Sequence, residues 1–396
     1  MGRLRQVAIA AAGMAKFGVR SATWKELVQE AGKALFDAAP GMNKADVDSL
    51  FVGAAEPERL AFQSHVAPLA AEQLGIQPWR MVQRVELACA SGQAAIRSAW
   101  LAVATGLSDV ALVIGVEKMN IPDPAELQTS MACVLDREWD GVHGASAPPF
   151  FAMCAQRHMH EYGTTRDHLT AVRLKAGKYG QHNPMAHYPR FFPKEKIEAS
   201  PMIAPPLRLL DCSGITDGAA AVLVTSADRA RQLTEQPLHV WGGAQAVEGH
   251  NLASLQSWST WLPCKRAAQE AYKLSGITAR DVDVAQVHDC FTISEIIVTE
   301  DLGFCEKGKG GAFIAEGQTE IGGEVAINTD GGLLARGHPI GATGVAQAVE
   351  LLAQVQGKAG PRQAPDPDVL LAHNLSGSAN AHSIMVYGRQ ARRGSA

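Results

Sequence analysis

The same order of sequence elements occurs twice in this chain of 396 residues, and this duplication limits the folds that the chain can adopt. Residues 7–13 (VAIAAAG) and 238–244 (LHVWGGA) are each typical of a β-strand that runs into a glycine turn. An alanine-rich segment with apolar residues at helical spacing follows each strand, beginning at Lys25 and at Lys265. The repeat therefore predicts two related halves that start with the same strand and the same helix.

The repeat continues through the rest of each half. Residues 44–53 (KADVDSLFVG) and 279–289 (ARDVDVAQVHD) share a D-V-D turn that leads into a β-branched strand. Residues 88–115 and 337–357 each begin with a glycine-rich turn that leads into a long helix. In the first half an apolar strand completes the range, and in the second half the corresponding strand follows at 368–378. This alternation predicts an α/β fold in which helices cover mixed sheets.

In this register Cys89 lies opposite His338. Each of them stands three positions before a glycine, Gly92 and Gly341, at the start of a predicted helix. A pseudo-twofold axis between the halves would bring both helix N-termini towards the centre of the molecule. Two ordinary α/β halves without a shared site are the alternative.

The repeat also predicts the domain boundaries. Between the halves, residues 120–210 are rich in Pro, His, aromatic and charged residues and lack the alternating pattern, which indicates an inserted loop domain. The first half is then predicted to comprise residues 1–119 and 211–235, and the second half residues 236–396.

The insertion carries a local excess of basic residues in a chain whose formal net charge is -4. Arg190 and Lys194 belong to this group and are candidates for contacts with the phosphates of an anionic ligand. A solvated charged face is the alternative interpretation for each of them.

Composition excludes several functional classes. The acidic balance provides no global positive field that would favour nucleic acid or an anionic membrane. The longest apolar runs are of strand length, far below the roughly 20 residues that a membrane helix needs. We therefore expect a cytoplasmic protein with neither nucleic acid nor membrane as a partner.

The seven cysteines contain no CxxC pair and are too dispersed for a zinc site or a disulfide framework, so no metal ion is expected. A reduced, buried cysteine is usually a small hydrophobic residue. Cys89 and Cys290 need a further explanation because of their positions.

Cys89 lies in the segment ELACASGQAAI, at a predicted strand-to-helix turn among small residues. A sulfur at a helix N-terminus is stabilised as thiolate by free N–H groups and the helix dipole, which would lower its pKa towards neutrality. The segment is thus consistent with a nucleophile. A cysteine packed tightly beneath the turn is an equally good interpretation of this segment alone.

His338 lies in RGHPIGATG, where Pro339 would occupy the first helical position and Gly337 and Gly341 allow close approach of the backbone. A histidine here can take the proton of a thiol as a general base. Histidines in glycine-rich turns are more often structural, and the position opposite Cys89 is what favours the catalytic role.

The segment VHDCFTISEI follows an apolar strand and places His288, Asp289 and Cys290 at its end. Ligands bind at strand ends in α/β sheets. Cys290 could transfer a proton at carbon while His288 donates to an oxyanion. For Asp289 we prefer the role of a cap for the helix from Phe291 onward.

These motifs identify a resemblance. The sequence resembles the thiolase superfamily over nearly its whole length, through the segment around Cys89, the GHPIGATG segment and the strand DGAAAVLV from Asp217. It is most similar to the sterol-carrier-protein-2 type, because HDCF at 288–291 stands where other thiolases have Asn-Glu-Ala-Phe. The resemblance implies two pseudo-twofold-related βαβαβαββ halves in α/β/α/β/α layers, with an inserted loop domain.

The resemblance also implies roles for residues. Cys89 would be acylated, His338 would activate it, and His288 would help to form an oxyanion hole. The C-terminal Cys-x-Gly motif of most thiolases aligns with 374–376, which contains no cysteine, so the acid/base role would move to Cys290. The backbone N–H groups of Cys89 and Ser376 would bind the thioester oxygen, although Ser376 departs from the usual glycine.

The implied activity is CoA-dependent cleavage of a 3-oxoacyl-CoA, or the reverse Claisen condensation, with CoA as co-substrate and no permanently bound cofactor. Gly337, Gly341, Lys194 and Arg190 are the candidate contacts of the substrate or of CoA. A homodimer or homotetramer is implied as well.

Three alternatives follow from the same resemblance. One is an acyltransferase subunit that acts with a small zinc-ribbon and OB-fold partner. The second is a retro-aldolase-like subunit with such a partner, which the presence of Cys89 disfavours. The third is a non-catalytic CoA-binding scaffold. The acyl group is not identified, although Trp258 and Trp261 are compatible with a bulky or aryl substrate of the benzoyl type.

Overall fold

The computed structural model describes residues 4–392. Its strands are β1 (Val7–Met14), β2 (Ser49–Gly53), β3 (Met81–Val85), β4 (Val110–Glu117), β5 (Met202–Ala204), β6 (Leu207–Arg208), β7 (Gly218–Ser226), β8 (Leu238–Val247), β9 (Val284–Gln286), β10 (Ala326–Ile327), β11 (Val369–Ser376) and β12 (Ala381–Gly388). Within the described residues, no helix is both long enough and apolar enough to cross a membrane.

The α-helices are α1 (Trp24–Asp37), α2 (Pro57–Leu60), α3 (Val66–Leu74), α4 (Ser91–Thr105), α5 (Pro124–Ala132), α6 (Ala147–Tyr162), α7 (Arg166–Gly180), α8 (Lys194–Glu198), α9 (Ala227–Leu233), α10 (Leu262–Ser275), α11 (Thr292–Asp301), α12 (Gly310–Ala315), α13 (Gly332–Ala335) and α14 (Thr343–Val355).

The strand order shows the duplication. In the first half it is β3-β2-β4-β7-β1, in the second it is β10-β9-β11-β12-β8, and β1 pairs with β8 in antiparallel orientation to join the halves. Each strand of one half thus has a counterpart at the equivalent position of the other. The predicted pseudo-twofold α/β fold is confirmed.

The helices form layers around these strands. Apolar residues of α1 and α3 cover the outer face of the first half, and α10 covers the second half. Helices α4 and α14 lie between the halves, where Ile96 and Val345 share a core with Val222 of β7 and Leu370 of β11. Full burial of each such side chain contributes about 1.5–3 kcal/mol to folding.

Local sequence signals set the ends of these elements. Helix α1 begins with a capping box, in which the Thr23 side chain accepts from the Glu26 N–H and the Glu26 carboxylate accepts from the Thr23 N–H. Leu27, Ala31 and Leu35 form its buried face. Strands β4 and β7 are apolar on both faces because helices pack on both sides of them.

A contact between glycines joins the halves at their centre. A Cβ atom at Gly92 would lie 2.6 Å from the Gly341 carbonyl oxygen, and one at Gly115 would lie 2.5 Å from the same atom. A Cβ atom at Gly53 would lie 2.7 Å from the Gly92 Cα. Only glycines allow the backbones to approach so closely, and this contact brings the start of α4 next to the loop before α14.

The chain between β4 and β7 forms helices α5 to α8 and the β5–β6 hairpin. The boundaries 120–210 for an inserted domain stay a prediction, as do 1–119 with 211–235 and 236–396 for the halves. Residues 1–3 and 393–396, which these ranges include, lie outside the described residues.

Candidate active site

A cavity of about 350 Å³ lies where the two halves meet the insertion. Cys89, His288, Cys290 and His338 all line it. The Cys89 sulfur and one ring nitrogen from each of His288 and His338 lie within 4.8 Å of one another. The structure therefore brings together the four side chains that were predicted to be catalytic, although they come from separate segments of the chain.

Cys89 lies in a one-turn 3-10 helix, Ala88–Ala90, directly before α4. Ala88 has φ +41°, which is uncommon for a residue with a side chain and marks local strain. The Ser91 hydroxyl supports this turn, because it accepts from the Leu87 N–H at 2.9 Å and donates to the Ala88 carbonyl at 2.6 Å.

The predicted lowering of the Cys89 pKa is wrong for the unliganded protein. Burial, together with the nearby carboxylates of Glu56, Glu117 and Glu86, raises the pKa of Cys89 to about 12. These effects exceed the stabilisation that the start of α4 offers to a thiolate. Cys89 is therefore a thiol at neutral pH and needs a base in order to react.

His338 is positioned by two threonines. Its Nδ1 lies 2.7 Å from the Thr343 hydroxyl, which donates to the Pro339 carbonyl at 3.0 Å. Since Thr343 has one hydroxyl proton, the His338 Nδ1 carries the ring proton and the Nε2 has a free lone pair. The Thr216 hydroxyl accepts from the His338 backbone N–H at 3.2 Å.

Burial lowers the pKa of His338 to about 3, so its imidazole is neutral at physiological pH and can accept a proton. The expectation that Pro339 begins a helix is wrong. Helix α14 begins at Thr343, and the Pro339 carbonyl accepts from the N–H groups of Ala342 and Thr343 in a preceding turn. This turn leaves His338 on the cavity wall.

His288 is fully buried, and its ring centroid is 4.8 Å from that of His338 at an interplanar angle of 88°. Burial, followed by the neighbouring histidines, lowers its pKa well below the usual value. Neither ring nitrogen makes a well-formed hydrogen bond within residues 4–392, and the Asn374 amide is a polar neighbour. The ring thus retains hydrogen-bonding capacity beside Cys89.

Cys290 follows β9 and precedes α11, and its Sγ is 3.7 Å from the Ser294 hydroxyl oxygen. Burial raises its pKa well above the usual value, and the charge of a Cys89 thiolate would raise it further. Cys290 is accordingly protonated, which is the state that a proton donor to carbon requires.

The preferred role for Asp289 is wrong. Phe291 is the N-cap of α11, whereas the Asp289 carboxylate accepts from the Leu333 N–H at 2.7 Å, in the first turn of α13. Burial raises the pKa of Asp289 to about 7. Asp289 caps a helix that is distant in sequence, which local pattern could not predict.

Ser376 is the last residue of β11 and pairs in register with Ala381 of β12. Its neighbours Leu375 and Gly377 line the cavity together with Cys89. The strand end that carries Ser376 therefore lies beside the turn that carries Cys89, while the oxyanion role of the two N–H groups stays a prediction.

The predicted glycine contacts have structural roles in the unliganded chain. The Gly341 N–H donates to the Glu117 carboxylate at 3.1 Å, and a Cβ there would lie 2.7 Å from that group. Gly337 has φ +107° and lies against Thr216 and His187. Both glycines shape the loop that carries His338.

The two predicted basic contacts lie elsewhere on the insertion. The Lys194 ammonium pairs with Asp167 at 2.6 Å and with Glu198 at 3.6 Å. The Arg190 guanidinium lies over the ring of Phe192, 5.2 Å from its centroid. Neither residue lines the cavity, so contacts with CoA by Lys194 and Arg190 stay predictions.

A chain of buried histidines behind the site had no signal in the sequence. The His288 backbone N–H donates to the His373 Nδ1 at 3.4 Å, the His373 Nε2 lies 2.8 Å from the His382 Nδ1, and the His382 Nε2 donates to the Ala379 carbonyl at 3.0 Å. Burial lowers the pKa of His382 to about 3. Thr216, Thr343 and Glu117 were missed as well, although Thr343 belongs to the recognised GATG segment.

Two sets of sulfur and nitrogen donors are close enough to be tested as metal sites. One is Cys89 with His288 and His338, and the other is Cys264 with His373 and His382. In the second set the 2.8 Å hydrogen bond between the histidines is shorter than the separation of about 3.3 Å that two nitrogens have on one tetrahedral zinc ion. That set is satisfied as a hydrogen-bonded chain.

Comparison with known families gives two matches that together span most of the chain. Residues 7–228 match the model described as "Thiolase, N-terminal domain", and residues 244–389 match "Thiolase C-terminal domain-like".

Several characterised proteins are similar over nearly the whole chain. The acetyl-CoA acetyltransferase of Methanothermobacter thermautotrophicus is 40% identical over 98% of this chain and 100% of its own length. Sterol carrier protein 2 of Bos taurus is 31% identical over 96% of this chain and 72% of its own length. The benzoylsuccinyl-CoA thiolase subunit BbsB of Thauera aromatica is 31% identical, covering 96% of this chain and 97% of that subunit.

Solved structures agree with this assignment. The Ltp2-ChsH2(DUF35) aldolase has a TM-score of 0.84 at 29% identity, covering 98% of this chain and 99% of that one. Human mitochondrial 3-ketoacyl-CoA thiolase has a TM-score of 0.73 at 17% identity over 98% of this chain and 100% of that one, a likeness of fold alone.

Proposed function

Because this chain belongs to the thiolase family and is an acyltransferase with thiolase activity, we propose that it works through a thioester on Cys89. The reaction is CoA-dependent cleavage of a 3-oxoacyl-CoA to acetyl-CoA, or another shortened acyl-CoA, and an acyl-CoA, or the reverse condensation. One observation carries the proposal, namely that the Cys89 sulfur and ring nitrogens of His288 and His338 lie within 4.8 Å of one another on a cavity wall.

The first step transfers the acyl group to Cys89. The neutral His338 Nε2 takes the thiol proton as the sulfur attacks the 3-oxo carbon of the substrate. The resulting alkoxide accepts hydrogen bonds from the backbone N–H groups of Cys89 and Ser376. His338 suits this role because Thr343 holds its ring proton on Nδ1, which leaves the lone pair of Nε2 free to accept the thiol proton.

The second step breaks the bond between C2 and C3. The alkoxide collapses to the Cys89 thioester, and the bonding electrons pass to the enolate of acetyl-CoA, whose oxygen His288 stabilises. Cys290 gives its proton to C2 and becomes a thiolate, and acetyl-CoA leaves. The buried, protonated state of Cys290 supports this assignment.

The third step returns the enzyme to its starting state. The thiol of a second CoA gives its proton to the Cys290 thiolate and attacks the thioester carbonyl. The Cys89 sulfur leaves and recovers its proton from His338. CoA is thus a co-substrate, and no electrons enter or leave, so the reaction requires no redox cofactor.

Acylation of Cys89 is the direct test of this mechanism. Incubation with acyl-CoA should add one acyl mass to the intact protein, and peptide mapping should place it on Cys89. The Cys89→Ser variant serves as the control and should remain unmodified. Absence of the adduct from the wild-type protein would contradict the proposal.

We propose that two copies of this chain form a homodimer. A homotetramer, built from two such dimers, is the alternative. Strand β3 supports the homodimer, because it forms one end of the sheet and its outer edge has no strand partner among the described residues. Trp79 beside it is 70% exposed and Val82 within it is 41% exposed. Such an edge is a template for strand pairing with a second copy. Light scattering should give at least twice the mass of the chain.

A second candidate function is activity as one subunit of a two-protein enzyme. It is supported by the similar aldolase structure, Ltp2-ChsH2(DUF35), whose name joins two proteins, and by the Thauera relative, which is named as a subunit. The partner would be a small zinc-ribbon and OB-fold protein. Full turnover of a 3-oxoacyl-CoA by the purified chain alone would exclude the requirement for a partner.

A cytoplasmic location, where CoA thioesters are available, is proposed as well.

A further inference from the structure

The cavity that contains Cys89, His288, Cys290 and His338, called the chamber below, has mainly apolar walls. Leu127 and Met131 of helix α5 lie on one side, and Phe151 of α6 and Phe291 form another. The rings of Phe151 and Phe291 stack on each other with centroids 4.5 Å apart and an interplanar angle of 23°. A substrate bound with its 3-oxo carbon at the Cys89 sulfur would place its acyl chain against these side chains.

No Lys, Arg, Asp or Glu of residues 4–392 lines this chamber. Its titratable groups are three cysteines and two histidines. Burial raises the pKa of Cys89, Cys212 and Cys290 and lowers that of His288 and His338, so all five are neutral near pH 7. In the resting enzyme the chamber thus offers an anionic group no formal positive charge, and during the reaction the single cation is His338, which pairs with the negative charge formed at the reacting atoms.

The region next to the chamber carries negative charge. A neighbouring pocket shares Val134 and Gly377 with the chamber wall. Its charged lining residues are mostly carboxylates, with two arginines among them: Glu56, Glu58, Glu86, Glu248, Arg59 and Arg84. Arg84 is already paired with Glu58. An acyl chain that extended past Val134 would therefore meet an acidic surface.

The chamber is large enough for more than a short acyl chain. Its volume of about 350 Å³ is more than twice the roughly 150 Å³ of an engineered apolar cavity that binds benzene. An aryl ring or a branched aliphatic chain therefore fits within it. Phe151 and Phe291 in the lining are apolar contacts that suit an aryl ring as well as an aliphatic chain.

We propose that the acyl group carried by Cys89 is uncharged along its length and of aryl or medium aliphatic size, and that 3-oxoacyl groups ending in a carboxylate are rejected. This inference rests on the proposed function, because it concerns the group that Cys89 transfers. Its physical reason is that a carboxylate buried without a partner loses its hydration and finds no compensating charge.

The test compares 3-oxoadipyl-CoA with its terminal methyl ester, which has the same carbon chain without the negative charge. The purified protein should cleave the ester with a kcat/KM about 100-fold higher, because the free acid must bury an unpaired charge. A ratio of 10 or more supports the neutral chamber, and a smaller ratio overturns it. Acetoacetyl-CoA is assayed in parallel. If the protein cleaves none of the three compounds, the result counts against the proposed function and not against the neutral chamber.

A variant pair tests whether this chamber is the acyl site. Leu127→Lys adds a cation to the wall, and Leu127→Met is the neutral control of similar length. The ester-to-acid ratio should fall about tenfold in the lysine variant relative to the methionine variant, because the ammonium can pair with the carboxylate. Equal ratios in two folded variants, verified by thermal unfolding, would overturn the assignment. Met131→Lys against Met131→Leu repeats the comparison if Leu127→Lys does not fold.

Discussion

The Thr343 hydroxyl lies 2.7 Å from the Nδ1 of His338, and because it donates to the Pro339 carbonyl it holds the ring proton of His338 on Nδ1. The nitrogen that can receive a proton is therefore Nε2. Thr343 does not line the cavity, and in the proposed mechanism it acts by positioning His338 as the base.

Replacement of Thr343 by valine should lower kcat by about 100-fold with little change in KM, because the base loses its fixed tautomer while the substrate contacts stay intact. Steady-state thiolysis kinetics measure this split. Thr343→Ser keeps the hydroxyl and should retain most of the activity. A valine variant whose defect lies in KM alone would contradict the positioning role.

The alkylation of Cys89 should rise with pH without reaching a plateau below pH 9. Because burial and nearby carboxylates raise the pKa of Cys89 to about 12, the reactive thiolate fraction increases about tenfold per pH unit in this range. The rate with iodoacetamide is followed by peptide mass spectrometry in the absence of substrate, with Cys89→Ala as the control for peptide assignment. A plateau near pH 7 would indicate a preformed thiolate paired with His338.

Cys290→Ala should lower thiolysis kcat by about 100- to 10,000-fold, the usual contribution of a positioned acid or base. It should also abolish exchange of the C2 protons of acetyl-CoA with deuterated water, which NMR can follow. Cys305→Ala removes a cysteine away from the cavity and should leave both activities unchanged. Normal exchange in the Cys290 variant would assign the proton transfer to another group.

His288→Ala should slow cleavage of the carbon–carbon bond more than it weakens CoA binding, because His288 is proposed to stabilise the enolate that forms only in that step. Single-turnover cleavage and equilibrium binding of CoA separate the two effects. A variant with weaker binding and an unchanged cleavage rate would contradict the oxyanion role.

Gly341→Ala should destabilise the protein by about 1–3 kcal/mol, because its methyl group would overlap the Gly53 and Val116 carbonyl oxygens and the Glu117 carboxylate. Gly41→Ala is the matched control, since its new methyl group would meet only a Leu233 carbon at 3.9 Å. Chemical denaturation measures both variants. Equal stability of the two would show that the central glycine contact can relax.

The free energy that His338 and His382 contribute to folding should fall as the pH decreases from about 6.5 towards 3, whereas Asp289, whose pKa burial raises to about 7, contributes with the opposite sign. Burial lowers the pKa of both His338 and His382 to about 3, so between pH 6.5 and 3 the unfolded chain binds protons that the folded chain does not. Denaturant unfolding across this range measures this pH dependence. His382→Gln removes one of these histidines and should therefore lose less stability than the wild-type protein as the pH decreases over this range, whereas an identical pH dependence of the two proteins would show that His382 does not contribute.

The sequence alone determined the fold and predicted four residues that line the candidate site. The repeated strands and helices are visible as periodic apolar patterns, since period and glycine spacing are local properties of a chain. For the same reason the register that sets Cys89 opposite His338 could be obtained by aligning the two repeats. The HDCF segment at 288–291 pointed to Cys290 as the second cysteine of the site. A motif can be recognised in the sequence without knowing any distance in the folded protein.

Only the tertiary structure decided the electrostatics and the support of the site. The pKa of Cys89 is raised first because folding buries the thiol and then because Glu56 and Glu117 approach it from other segments, and the start of α4 could not reveal either effect. Asp289 caps α13 rather than the helix beside it for the same reason. Desolvation and long-range hydrogen bonds depend on which residues folding brings together, and local sequence pattern carries no information on such contacts.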